Sequence, residues 1–144
     1  EEHDVRIHGE GAGNGDTLFL TTGEHGRIGI RFVRKSDSAE KFHGFLFCIR
    51  RVHEELPEVP ILVTENGIAT GDDAQRCIFI EQALAGIERC IADSIPVIGY
   101  CHWSLIDNFE WQKGYALTFG LCAVDRTTQE RFPKKSLKLL GSYR

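Results

Sequence analysis

Along the 144-residue chain the spacing of apolar positions changes several times, and each change marks an element. After Ser36 or Asp37, either of which can cap a helix, Phe42, Phe45, Leu46, Ile49, Val52 and Leu56 recur at helical spacing. They predict an amphipathic helix that stops before Pro57. Residues 60–64 form a short, almost wholly apolar run, as expected for a strand in a parallel sheet covered on both faces, and Asn66-Gly67 breaks it. Asp72 or Asp73 opens a second helical pattern that reaches about Asp93, with Ile80, Leu84, Ile87 and Ile91 on one face. Residues 97–103 follow Pro96 as a second buried strand. Residues 119–124 suggest a further short strand and 125–132 a polar hairpin or turn, and Pro133 with Ser136 opens a last short helix through Leu140.

The order helix, strand, helix, strand predicts an α/β fold whose right-handed crossover leaves the two buried strands parallel. In such folds ligands meet the protein at the carboxyl ends of the strands. Glu65 ends the first buried strand and Trp103 the second, while Glu110 and Trp111 lie in the loop that follows, so both stretches are expected to open onto one face of the sheet. Residues 1–36 differ, with Gly9, Gly11, Gly13 and Gly15 alternating with small or polar residues and strand-like patches only at 17–21 and 28–33. This predicts an irregular, glycine-rich N-terminal segment over 1–36 ahead of an α/β segment over 37–144. The glycines lack the preceding strand, the Gly-Lys-Ser/Thr ending and the following helix of a phosphate loop.

Composition narrows the function classes. With 42% apolar and 26% charged residues the chain reads as an ordinary globular protein, and a net charge of −4 gives no electrostatic reason to bind nucleic acid or an anionic membrane. Arg50-Arg51 and Lys134-Lys135 read as solvated faces. Cys48, Cys77, Cys90, Cys101 and Cys122 show no C-x-x-C spacing, which favours buried free thiols over a disulfide framework. A reducing compartment, and hence a cytoplasmic location, is the expectation, although a chain that opens on Glu says little about any leader. The six histidines show neither H-x-H nor H-E-x-x-H spacing, so no metal and no cofactor is expected.

The chemistry concentrates in Thr64-Glu65-Asn66-Gly67 and in the stretch from Trp103 to Trp111, each a carboxylate just past an apolar run, the second flanked by two indoles. An indole face covers the apolar side of a pyranose while a carboxylate accepts hydrogen bonds from its hydroxyls. A carboxylate can also attack an anomeric carbon.

With Val63-Thr64-Glu65-Asn66-Gly67, Gly99-Tyr100, Trp103-Ser104-Leu105-Ile106-Asp107-Asn108-Phe109-Glu110-Trp111, Gly114-Tyr115, Phe119-Gly120-Leu121, Val124-Asp125 and Pro133-Lys134, the chain from about residue 45 onward resembles the C-terminal third of glycoside hydrolase family 1, the β-glucosidase and β-galactosidase family. The resemblance implies the C-terminal part of a (β/α)8 TIM barrel, about its last two β/α units, with residues 60–65 as the seventh strand and 97–103 as the eighth. It implies a retaining β-glycosidase acting on small β-glycosides or oligosaccharides through a covalent glycosyl-enzyme, with Glu65 as nucleophile. Glu110 matches the residue that grips adjacent sugar hydroxyls, Trp103 and Trp111 match indoles of the glycone pocket, and Phe119 matches an aromatic at its wall. Core packing is the alternative for Trp103 and a close one for Phe119. Asp107 and Asn108 read as loop formers, and Asn66 suits either purpose.

The family's acid/base carboxyl group sits in an Asn-Glu-Pro motif, and none occurs in these 144 residues. Loss of a general acid typically costs ~10² to 10⁴ in rate. The alternative reading is therefore a truncated, non-catalytic remnant with a partial sugar platform at Trp103, Glu110 and Trp111, and the isolated chain is expected to be inactive. Strands with open edges also predict self-association.

Overall fold

The computed structural model describes residues 19–22, 28–31 and 38–143. Their elements run β1 (Phe19–Thr22), β2 (Ile28–Arg31), α1 (Ser38–Glu55), β3 (Ile61–Asn66), α2 (Asp73–Ala92), β4 (Val97–His102), a 3-10 turn (Trp111–Lys113), β5 (Cys122–Val124), β6 (Arg131–Pro133) and α3 (Lys135–Leu140). One sheet has the order β1-β2-β3-β4, and β5 with β6 makes a second. The fold is α/β, and the described residues close no barrel. β1 pairs antiparallel with β2 and β2 parallel with β3, so the larger sheet is mixed. The two strand-like patches of the N-terminal segment supply β1 and β2. The glycine run from Gly9 to Gly15 and the Ser36/Asp37 cap lie outside the described residues.

The chain divides into two compact units, residues 1–66 with 85–101 and residues 67–84 with 102–144. In the first, α1 buries Phe45, Cys48, Ile49 and Val52, and β3 buries Ile61 and Val63. Leu56, expected on the same face as Val52, is 39% exposed because α1 ends at Glu55 ahead of Pro57. Ile61 donates its N–H to the Pro96 carbonyl at 2.8 Å, where β3 and β4 begin. Asn66 is buried, and the Tyr100 hydroxyl donates to its side-chain oxygen at 3.0 Å, giving Asn66 a structural role. Burial pushes the Tyr100 phenol well above its ordinary range, which keeps it a donor.

Along α2 the buried stripe runs through Phe79, Ile80, Ala83, Ile87 and Cys90. Ile91, expected on that face, is 51% exposed, because the stripe centres on the small residues Ala83 and Cys90 and leaves Ile91 at its edge. All five cysteines are free, yet only Cys48, Cys90 and Cys122 are buried; Cys77 is half-buried and Cys101 exposed. Burial raises the Cys48 and Cys90 thiols above their ordinary range, as suits packing rather than reactivity.

The second unit is built on a backbone ladder between residues 104–107 and 119–122. Leu121 N–H donates to Ser104 O and Cys122 N–H to Leu105 O, each at 2.9 Å, and Asp107 N–H donates to Cys122 O at 2.9 Å. Arg76, 1% exposed, donates to Asp73 Oδ1 at 2.7 Å and to the carbonyls of Thr70 and Thr118 at 2.5 and 3.0 Å. Asp73 in turn accepts Ser136 N–H at 3.0 Å and Ser136 Oγ–H at 2.6 Å, tying the start of α3 to the start of α2. The Asp125 carboxylate accepts the N–H groups of Thr127 and Thr128, which closes the β5–β6 turn and lowers its pKa.

Candidate active site

Glu65 is the penultimate residue of β3, half-buried, and its backbone faces Arg31 of β2 across an irregularity between Ile30 and Arg31. A register shift at this point re-aims the strand end just where the candidate nucleophile emerges. The break that follows is steric as well as conformational. A Cβ added to Gly67 would lie 1.9 Å from the Trp103 carbonyl oxygen, so only glycine fits there.

Trp103 follows directly on β4, its peptide bond to Ser104 is cis, and its indole Nε1–H donates to Glu110 Oε1 at 3.1 Å. Both side chains are half-buried. A carboxylate carries two oxygens and about four lone-pair sites, so one bond to an indole leaves capacity to accept from hydroxyls. Trp111 opens the 3-10 turn with φ 44° and is 76% exposed. Its left-handed backbone is held by Glu110 N–H to Gly114 O at 2.7 Å and Lys113 N–H to Glu110 O at 2.8 Å. Phe119 is 9% exposed, so packing accounts for most of its surface, and its carbonyl accepts the Ser104 N–H at 3.4 Å.

Trp103 and Glu110 are thus brought into direct contact, and Phe119 is joined through its backbone to the residue after Trp103. Glu65 belongs to the first unit, and Trp103, Glu110, Trp111 and Phe119 to the second. Beside Phe119, His102 is half-buried, and burial first, with the Arg76 charge second, pushes its pKa down to about 4. Its bond to the Phe119 backbone works in the opposite direction without prevailing. Among the described residues no group of three or more His, Cys, Asp or Glu is placed to hold a metal ion, and no helix is long and apolar enough to cross a membrane.

Lys134, expected on a solvated face, instead turns inward and donates to Asp107 Oδ2 at 2.9 Å and to Gly120 O at 2.7 Å; the Asp73–Arg76–Ser136 network has no signal in the sequence. The only signal for Lys134 was its place in the Pro133-Lys134 motif, since its partners lie far away in sequence. Asp107 is a loop former as expected, though its side chain reaches the distant Gly120 N–H, at 2.7 Å, instead of a neighbouring one.

An indole hydrogen-bonded to a carboxylate just past the end of a strand sets an apolar ring face beside charged acceptor oxygens, which suits the apolar side and the hydroxyls of a sugar. The profile of Glycosyl hydrolase family 1 matches residues 31–143, and the chain belongs to that family. The match begins ahead of the residue near 45 from which the resemblance was legible, and takes in the end of β2. The chain is 44% identical over 77 residues to a beta-galactosidase of Pyrococcus woesei, covering 54% of this chain and 15% of that protein. Among solved structures, beta-glycosidase BGL167 matches with a TM-score of 0.68 at 46% identity, covering 71% of this chain and 24% of the other. A beta-glucosidase from Thermotoga maritima in complex with galacto-hydroximolactam matches with a TM-score of 0.64 at 29% identity, covering 76% and 28%. The chain spans between 15% and 23% of the length of the curated relatives it matches.

Proposed function

We propose that these residues form the last two β/α units of a (β/α)8 barrel in a retaining, β-glucosidase-like glycosidase that hydrolyses O-glycosidic bonds of small β-glycosides or oligosaccharides. On this reading β3 and β4 are the seventh and eighth strands. The observation that carries it is the 3.1 Å bond from the Trp103 indole to the Glu110 carboxylate, which supplies a sugar clamp, within a chain of this family. Glu110 receives adjacent hydroxyls of the non-reducing sugar in charge-assisted bonds, Trp103 and Trp111 offer indole faces, and Phe119 backs the wall. Glu65 attacks the anomeric carbon to form a glycosyl-enzyme that water hydrolyses with net retention, and a second carboxyl group protonates the departing oxygen.

A second reading is favoured by the absence of Asn-Glu-Pro from these 144 residues: a sugar platform without hydrolysis. A 2-deoxy-2-fluoro-β-D-glucosyl fluoride separates the two, because its good leaving group reduces the need for a general acid. Intact-mass analysis of the labelled chain should show one fluoroglucosyl increment that Glu65→Gln abolishes. No increment at high reagent concentration sinks the nucleophile assignment for this chain.

A further inference from the structure

Lys134 sits beside another lysine and looks solvated in the sequence, but its side chain is 18% exposed and its ammonium points inward. Gly120 is gripped on both sides: its N–H donates to Asp107 Oδ1 at 2.7 Å, and its carbonyl accepts Lys134 Nζ–H at 2.7 Å. The two charges then meet at 2.9 Å between Asp107 Oδ2 and Lys134 Nζ. Lys134 is itself anchored, since its backbone N–H donates to Leu121 O at 2.8 Å. Gly120 has no room for a side chain, because a Cβ there would lie 2.2 Å from Asp107 N.

An ion pair this far from solvent carries a desolvation cost that an apolar pair of the same volume would avoid, so stability alone is a poor reason for it. Its place in the chain supplies a better one. Asp107 lies between Trp103 and Glu110, whose side chains meet at 3.1 Å, and Gly120 follows Phe119. Asp107 thus holds the middle of the loop that closes the indole on the carboxylate. Loss of the grip on Gly120 releases the residue after Phe119.

We infer that Asp107 and Lys134 are positioning residues whose ion pair, clasped about Gly120, sets the spacing of the Trp103–Glu110 clamp. The inference rests on the reading of that clamp as a sugar site only for its consequence, a better fit to a glucoside. Its geometry is testable without any sugar.

The chain has two tryptophans and therefore two indole N–H signals in a ¹H–¹⁵N spectrum of the full 144-residue protein. Glu110→Ala identifies the Trp103 signal and marks its position when the carboxylate is gone. In Lys134→Met and Asp107→Asn the Trp103 signal should move to that position and exchange faster with solvent, with amide dispersion retained and the Trp111 signal unmoved. Lys134→Arg, which keeps the charge, should restore the native signal. Titration with methyl β-D-glucopyranoside should show binding weakened at least about tenfold in Lys134→Met, as for loss of a hydrogen bond to a charged group. A Trp103 signal at its native position in both folded variants overturns the inference. So does collapse of amide dispersion in both, which makes the pair a fold staple. If the indole responds while no form binds the glucoside, the positioning stands and the sugar reading falls.

Discussion

Arg76 carries its charge to 1% exposure, with an aspartate and two backbone carbonyls as partners, and His102 lies within reach of its field. Burial first, and that charge second, disfavour a protonated imidazole there. The folded pKa of His102 is about 4 against an ordinary 6.5, so between those values the unfolded chain binds a proton that the folded chain refuses. Stability is therefore full above pH 6.5 and is lost as pH falls toward 4, by up to ~3 kcal/mol. Urea denaturation across this window should show the loss, and His102→Gln should flatten it. An unchanged slope in that variant would assign the acid sensitivity to other groups. Asp73 contributes at lower pH: although partial burial opposes it, the bonds from Ser136 and Arg76 hold its pKa below the ordinary value, so its share persists until it protonates.

At the scale of elements, two junctions are closed by backbone contact. Gly67 lies under the Trp103 carbonyl, and Gly120 lies against Asp107 N and the Ile106 carbonyl carbon. Gly67→Ala and Gly120→Ala should each cost about 1–3 kcal/mol, the range for forced overpacking, because the obstructing atoms are backbone and cannot rotate away. Urea midpoints test this, with Gly71→Ala, where an added Cβ meets nothing within 4 Å, as the neutral comparison. These contacts also show why sequence reading found the elements but not all their ends. The runs that make α1, β3, α2 and β4 carry their own periods and stop signals in Pro57, Asn66-Gly67 and Pro96, and the observed ends fall within a residue or two of expectation. Residues 119–121 have the apolar character of a strand but serve as backbone partners to 104–107, so β5 starts only at Cys122.

At the scale of the whole molecule, β1 and β4 stand at the edges of the larger sheet, and Ile98 of β4 is 53% exposed. Sheet edges with exposed apolar residues invite pairing with another copy. Self-association is thus expected to rise with concentration in sedimentation velocity, and Ile98→Lys should reduce it without lowering the urea midpoint. A monomeric wild type at high concentration would refute the expectation.

The sequence alone determined the α/β order of elements, the family, and the identities of Glu65, Trp103, Glu110, Trp111 and Phe119 as candidate sugar-site residues. All of these are written in local periodicity or in short contiguous motifs. Only the tertiary structure decided that Asn66 is a buried partner of Tyr100, that Phe119 is mostly packed, and that Cys101 and Ile91 face solvent. It alone made Lys134 an inward charge facing Asp107. Burial and ionic pairing depend on which distant segments meet, and residues as far apart as Asp73 and Ser136, or Asp107 and Lys134, leave no periodic trace of that meeting in the chain.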